Sequence, residues 1–295
     1  MVSIILGTYL LEKGLLTYEQ LKDLITEQRK VRVKLGLIAV AEGLIMQEEA
    51  DEINRMQEAQ DKRFGDIAIE RGYLTEGQVE ALLKKQGNAY LVFAQALEDL
   101  QLMSVEQLEQ YMIDFQFENQ LTLSDIEDLK SGDVDRILPL YIPMGYEHYL
   151  DAMGTALRTL VRCVDTEIYP EKAFVTSKCE ADNGAVQCID GERIISCGMI
   201  GKGKALLEIA SIFGKEEFEE INEDAMDAIG ELLNCINGLY ASALSRSGIS
   251  VELYPPEFSV GINEIEGSEM LVLPLHIKEE KFYFVVAVGN KIEIK

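Results

Sequence analysis

The stretch 227-DAIGELLNCING-238 decides how the second half of this chain folds, because its polar and apolar residues separate cleanly at helical spacing. At roughly 100° per residue, Asp227, Glu231 and Asn234 fall within about one sixth of a helix circumference. Ile229, Leu232, Leu233, Ile236, Leu239 and Tyr240 fall on the opposite side, which predicts a long amphipathic helix from about Glu223 to Ser245. By spacing alone the polar stripe is an ordinary solvated face. Its neighbours argue otherwise: Gly230, Gly238, Ala241, Ser242 and Ser245 lie on or beside it. A mid-helix glycine costs about 0.5–1 kcal/mol relative to alanine, and a wet face would gain from Lys, Gln or Glu. Small residues around a Glu and an Asn would instead let the surface of another protein approach both.

Outward from this helix the elements come in mixed order. An amphipathic helix is expected over about 145–163. The runs "GAVQCID" and "RIISCGMIG" follow as a hairpin turning at Asp190-Gly191, then a helix at "KALLEIASIFG". Beyond the long helix, "ISVELY", "EMLVLPLHIK" and "KFYFVVAV" read as further strands. Hairpins interleaved with helices predict an α+β domain over 145–295 with a largely antiparallel sheet.

The first 119 residues are built differently. "LGTYLLEKGLLTYEQLKDLITEQ" from Leu6, "LGLIAVAEGLIMQEEADEINRMQ" from Leu35 and "FGDIAIERGYLTEGQVEALLKKQ" from Phe64 recur with a step of 29 residues. A fourth, worn copy starts at Phe93, with Ala94 and Gln101 where the others carry glycine. Such a period implies one supersecondary unit stacked on its neighbours. Each unit reads as a short helix, a glycine stop (Gly14, Gly43, Gly72) and a second helix ending near Gln28, Gln57 or Gln86. Thr17…Gln20, Thr75…Gln78 and Ser104…Gln107 have capping-box spacing, whereas copy two has Met46 in place of the hydroxyl. Residues 120–144, with Ser131-Gly132, Pro139 and Pro143, read as a partly packed linker holding one short helix.

Composition bounds the function. With 295 residues, 52 acidic against 27 basic and a net charge of −25, the chain would repel a nucleic-acid polymer or an anionic membrane surface. No segment reaches the run of ~20 apolar residues that a membrane span needs, and the opening residues lack the basic region of a signal peptide. Five cysteines without a C-x-x-C pair and two histidines, His148 and His276, predict reduced thiols in a cytoplasmic protein and no metal site.

Two resemblances sharpen these readings. Residues 34–86 resemble the N-terminal domain of type II secretion and pilus ATPases of the MshE kind, in which a 24-residue motif, repeated after a five-residue spacer, binds cyclic di-GMP. The resemblance implies ligand contacts at Lys34, Gly36, Gly43, Gln57, Arg63, Gly65, Gly72 and Gln86. Lys34 stands where the motif has arginine, a substantive change, since an ammonium cannot stack on a base as a guanidinium does. The alternative is a helical interaction module whose glycines serve only turns.

Residues 145–295 resemble the CheC/CheX/FliY chemotaxis phosphatases, CheX most closely. Asp227, Glu231 and Asn234 match the Asp/Ser-x-x-x-Glu-x-x-Asn signature, and Pro255 and Pro256 follow one or two residues nearer than the family spacing. The helix "YLDAMGTALRTLVRCV" has no Glu-x-x-Asn, so one site per chain is expected, as in CheX. The resemblance implies hydrolysis of the phospho-aspartate of a CheY-type response regulator. Glu231 would pair with a lysine of the regulator, Asn234 would hold the water and Asp227 would support docking. It also implies a homodimer, and a divalent metal supplied by the regulator with no cofactor from this chain. Two other readings stay open: a non-catalytic docking scaffold, and a cyclic di-GMP receptor signalling through the CheX-like part.

Overall fold

The computed structural model describes residues 1–60, 62–202, 204–261 and 264–295. The chain divides into two compact units, Val2–Asp133 and Val134–Lys295 joined by Met1. Among the described residues no helix is long and apolar enough to cross a membrane.

The first unit is helical: α1 (Val2–Glu12), α2 (Tyr18–Gln28), α3 (Leu35–Ala41), α4 (Gln47–Gln60), α5 (Phe64–Glu70), α6 (Glu76–Lys84), α7 (Ala89–Asp99), α8 (Val105–Glu118) and α9 (Leu123–Ser131). The 29-residue period is visible as geometry. Capping boxes start α2, α6 and α8 at Thr17, Thr75 and Ser104. In copy two the backbone N–H of Met46 donates to Glu49 at 2.8 Å, so half a box survives without the hydroxyl. Gly14, Gly43 and Gly72 take φ of 70°, 65° and 78°, the left-handed turn that lets the next residue bond back into the first helix. Gln101 takes the same turn in copy four at φ 54°, so the fold of the repeat persists after its glycine is gone.

The repeats do not form an open stack. α7 of the fourth copy packs on α1 and α2 of the first, and α3 meets α8, which closes the four copies on one another; Leu6, Leu10, Ile38, Ile67, Phe93 and Leu97 are buried within the unit. Helices this short bury too little in nearest-neighbour contacts alone.

The stretch 120–144 is not a separate linker. A fourth capping box at Thr122, unmarked in the sequence reading, starts α9, whose Ile126 and Leu129 are buried in the first unit. The next helix, α10 (Val134–Ile137), belongs to the second unit, with Leu138 in that core and Val134 packed against it.

The second unit continues with α11 (Leu150–Cys163), β1 (Tyr169–Pro170), β2 (Phe174–Glu180), β3 (Asn183–Gly191), β4 (Ile195–Gly201), α12 (Ala205–Gly214), α13 (Glu223–Arg246), β5 (Val251–Leu253), β6 (Glu257–Val260), β7 (Glu264–Ile277), β8 (Glu280–Val288) and β9 (Glu293–Ile294). It is an α+β fold. Every strand pairing among the described residues is antiparallel, in the order β1-β7-β8-β4-β3-β5, with β2 and β9 on β7 and β6 on β3. The β3–β4 hairpin forms from the two runs that the sequence pairs, but its turn falls at 192–194, because Asp190 and Gly191 extend β3 to pair with Glu252 and Val251 of β5. Phe282, Phe284 and Val286 of β8 and Leu271, Leu273 and Leu275 of β7 alternate onto one sheet face, where they share a core with α11, α12 and α13. Val285, Ala287, Met270 and Val272 alternate onto the other face, with Ile265 and Ile292.

Candidate active site and a second cavity

Helix α13 starts at Asn222, whose side chain accepts from the Ala225 N–H at 2.9 Å, and runs 24 residues with Met226, Ile229, Leu232, Leu233 and Ile236 against the sheet. This burial fixes the rotation of the helix. Asp227 and Glu231 stand fully outside and Asn234 is half-buried at the edge. Glu231 and Asn234 are offset by about 4.5 Å along the axis, so one approaching surface reaches both. Among the described residues Glu231 has no hydrogen-bond or ion-pair partner. Cys235 lies beside it on the same face, and burial, then the Glu231 carboxylate and Cys163, push its thiol above the ordinary range.

The structure alters the reasoning about small residues. Gly230 is buried, and a Cβ there would lie 3.4 Å from both Pro256 and Phe258, so this glycine makes room for the chain's own β5–β6 segment. Ala241 is buried as well, leaving Gly238, Ser242 and Ser245 towards the open face. Leu239, assigned by periodicity to the buried side, is 44% exposed and continues the outer row after Asp227, Glu231 and Cys235.

Asn234 is held from inside. The Nε2 of Gln187 donates to Asn234 Oδ1 at 2.7 Å and to the Tyr254 carbonyl at 2.7 Å, while Gln187 Oε1 accepts from Asn237 Nδ2 at 2.8 Å. Gln187 is 2% exposed and Asn237 is fully buried. The Tyr254 carbonyl is where the prolines enter. β3 pairs with β5 through Ile189 and with β6 through Val186, and between these ladders Pro255 and Pro256, lacking N–H groups, break the edge strand. The Tyr254 N–H still donates to the Cys188 carbonyl at 3.0 Å, which brings its own carbonyl to Gln187.

Sequence reasoning missed Gln187 and Asn237, although each left a signal. Ala185, Gln187 and Ile189 occupy alternate positions of β3, so an amide sits in a row facing the core; Asn237 sits among Leu233, Ile236 and Tyr240 on the inner side of α13. A carboxamide in an apolar row needs a partner.

The first unit contains a cavity of about 1000 Å³ lined by Lys34, Gly36, Gln57, Arg63, Gly65 and Gln86. Six of the eight residues singled out there converge; Gly43 and Gly72 are turn glycines outside it. Gly36 and Gly65 also have internal reasons, since a Cβ would meet Phe64 or Val79 at 2.9 Å. Lys34 is diverted: its Nζ lies 3.0 Å from Asp99. Two further cations, Arg32 and Lys62, line the cavity, and among the described residues neither Arg32 nor Arg63 has an acidic partner. Arg32, two residues before Lys34, places a guanidinium in the wall of this cavity.

The five cysteines are free, and burial pushes the Cys197 thiol up to about 12. Among the described residues no group of three or more His, Cys, Asp and Glu side chains is arranged to hold a metal ion.

With this geometry in place, comparison with known proteins finds a likeness within the second unit. Residues 184–276 match the family model of the chemotaxis phosphatase CheX. The matched span holds Gln187, Glu231, Asn234, Asn237 and Tyr254 of the CheX-like domain. No curated protein matches the chain. Among solved structures, a CheC-like superfamily protein from Shewanella sp. PV-4 is 20% identical, with 49% of this chain and 99% of that one covered and a TM-score of 0.44. A CheX from Desulfovibrio desulfuricans is 20% identical, covering 48% and 99%, with a TM-score of 0.43. The CheX–CheY–BeF3–Mg2+ complex from Borrelia burgdorferi gives 20% identity, 48% and 96% coverage and a TM-score of 0.41.

Proposed function

We propose that the CheX-like domain hydrolyses the phospho-aspartate of a CheY-type response regulator, with Glu231 as the docking anchor and Asn234 as the group that orients the attacking water. The observation that carries this reading is the contrast between the two side chains. Glu231 is an exposed carboxylate with no partner among the described residues, while Asn234, three residues on, is fastened by a buried amide. A carboxylate left free suits a lysine on another protein, and Asp227, one turn earlier, supports the same docking. A neutral carboxamide suits water beside a phosphoryl group, because it does not repel the phosphoryl oxygens.

An aspartyl phosphate is an activated acyl phosphate, and a divalent metal held by the regulator would neutralise its oxygens. Water attacks phosphorus in line, the acyl oxygen leaves with the bonding pair as the regulator's carboxylate, and the water proton goes to solvent or phosphate. Positioning of that water supplies the catalysis. The CheX family match over 184–276 supports the reading. The test is to mix the full chain with a phosphorylated CheY-type regulator and Mg2+ and follow phosphate release. The wild type accelerates the loss, and Asn234→Ala removes most of the acceleration. An unchanged decay across several regulators favours the docking scaffold instead. We assign this activity to the cytoplasm and to a homodimer formed through the CheX-like domain, which sedimentation at micromolar concentration tests.

The cavity in the first unit favours a second reading for that half: a regulatory module that binds an anionic dinucleotide of the cyclic di-GMP class. Arg32 and Arg63, without an acidic partner among the described residues, support it in a chain of net charge −25, while Lys34 and Lys62 at the same cavity are paired with Asp99 and Glu70. Titration calorimetry of the full chain with cyclic di-GMP tests it; no heat at tens of micromolar rejects it and leaves a helical interaction module.

A further inference from the structure

We infer that Gln187 is the positioning residue of the active site, and that it fixes which end of the Asn234 carboxamide faces the reaction. The inference rests on the phosphatase reading for its kinetic consequence, though not for its geometry.

The direction of every bond in the chain of amides follows from one fixed end. A backbone carbonyl only accepts, so the Gln187 atom 2.7 Å from the Tyr254 carbonyl is its NH2 group. The second N–H of that group points at Asn234, which must therefore present its oxygen, at 2.7 Å. The remaining Gln187 oxygen accepts from Asn237 Nδ2 at 2.8 Å, committing both polar atoms of Gln187. The cost of this order appears at its inner end, where Asn237 Oδ1 is buried and has no hydrogen-bond partner among the described residues. A buried acceptor left unmatched is tolerated where the rest of a network is needed in one orientation.

At the outer end the consequence is chemical. With Oδ1 of Asn234 turned inward, its two Nδ2 hydrogens face the side from which a phosphoryl group arrives. Asn234 then donates to the water or to a phosphoryl oxygen without having to choose an orientation when the regulator docks. A carboxamide free to flip would present its oxygen for part of the time, against the phosphoryl oxygens. Gln187 acts only through Asn234, and Glu231 lies outside its reach, so docking and orientation are separable.

The test uses the full chain and Gln187→Met, which keeps the length of the side chain and removes its hydrogen bonds. The expected result is a fall in kcat of about tenfold with KM for the phosphorylated regulator within about twofold of wild type. In the Asn234→Ala background the same substitution changes kcat no further, because the residue it positions is gone. A purely structural role would lower kcat in both backgrounds and move KM too, and that result overturns the inference. The second arm needs no activity. In wild-type protein the side-chain amide of Asn234 gives an immobilised NH2 signal in 15N NMR, which becomes mobile in Gln187→Met. Should wild type leave the regulator's phosphate untouched, the phosphatase reading falls and this NMR arm decides the positioning claim alone. A mobile Asn234 amide in wild type, measurable even if the variant does not fold, refutes it.

Discussion

Replacing Gly230 by alanine separates two explanations of the same glycine. If Gly230 keeps the helix thin for an incoming protein, a methyl there harms function. If it seats the chain's own proline segment, as its buried position beneath Pro256 and Phe258 indicates, the outcome is set by packing. The new Cβ would lie 3.4 Å from Phe258 Cδ1, 3.4 Å from Pro256 Cγ and 3.7 Å from Pro256 Cβ, close to ordinary van der Waals contact. Helix propensity contributes about 0.5–1 kcal/mol in favour of alanine. Burial of one methyl adds up to about 0.8 kcal/mol, reduced by the slight yielding that the two closest contacts demand. A net gain of about 1 kcal/mol is expected, raising the melting temperature by about 2–4 °C for a domain of this size. Gly230→Val, with two further carbons driven into Pro256, is expected to lose about 1–3 kcal/mol. Denaturant titration, run beside the phosphate-release assay, reads both consequences. An alanine variant that is more stable yet inactive would restore the partner-access explanation. One destabilised by more than about 1 kcal/mol would refute the packing itself.

Other positions carry shorter expectations. Gln101→Gly places glycine at φ 54°, and relief of left-handed strain of about 1–2 kcal/mol, less the added chain entropy of glycine, should stabilise the first unit by about 0.5–1 kcal/mol in urea titrations. Asn234→Ala gives up one hydrogen bond worth about 0.5–1.5 kcal/mol and gains about 0.5 kcal/mol of helix propensity; Gln187 keeps the Tyr254 carbonyl, so a stability loss under about 1 kcal/mol should accompany the loss of activity. A loss of several kcal/mol would make Asn234 a strut of the core instead. Glu266, hydrogen-bonded by Lys178 and Lys295, is held down to about 2. Its folded value lies below the ordinary 4.5, so its contribution is present above that range and fades as pH falls through about 2. The stability gap between wild type and Glu266→Gln should therefore be constant near neutrality and close in strong acid; a gap that widens in acid would contradict the ion-pair assignment.

Much of the architecture was legible because it is local. A 29-residue period, three capping boxes and the β3–β4 hairpin each involve neighbours in sequence, and they formed where the residues prescribe, except that the hairpin turn falls at 192–194, just past Asp190-Gly191. β2 escaped notice because it is an outer strand with Phe174 and Val175 exposed, so no inward-outward alternation marks it. β9 is two residues long and shows itself only by pairing with Ile265 and Glu266. The site was half legible for the same reason. Asp227, Glu231 and Asn234 announce themselves by spacing on one helix, whereas the grip of Gln187 on Asn234 spans 47 positions and exists only after β3 is laid under α13. The proline pair could be noticed in the sequence; that it splits an edge strand and presents a carbonyl to Gln187 could not.

The strand register also sets the order in which a growing chain becomes a working protein. The helical unit closes on contacts among its first 133 residues and can be complete while the remainder is still being synthesised. The other unit must wait. β4 pairs at once with β3 but finds its second neighbour only in β8, with Ile195 opposite Val288, and β2 finds β7, with Phe174 opposite Val272. Helix α13 therefore emerges from the ribosome tens of residues before the middle of its sheet exists, with Met226, Ile229, Leu232 and Leu233 uncovered in the meantime. Pairings this distant are slow to find and leave apolar surface open to other chains during the delay. For the nascent protein, the hazardous interval lies between the synthesis of the helix that bears Glu231 and Asn234 and the arrival of β8.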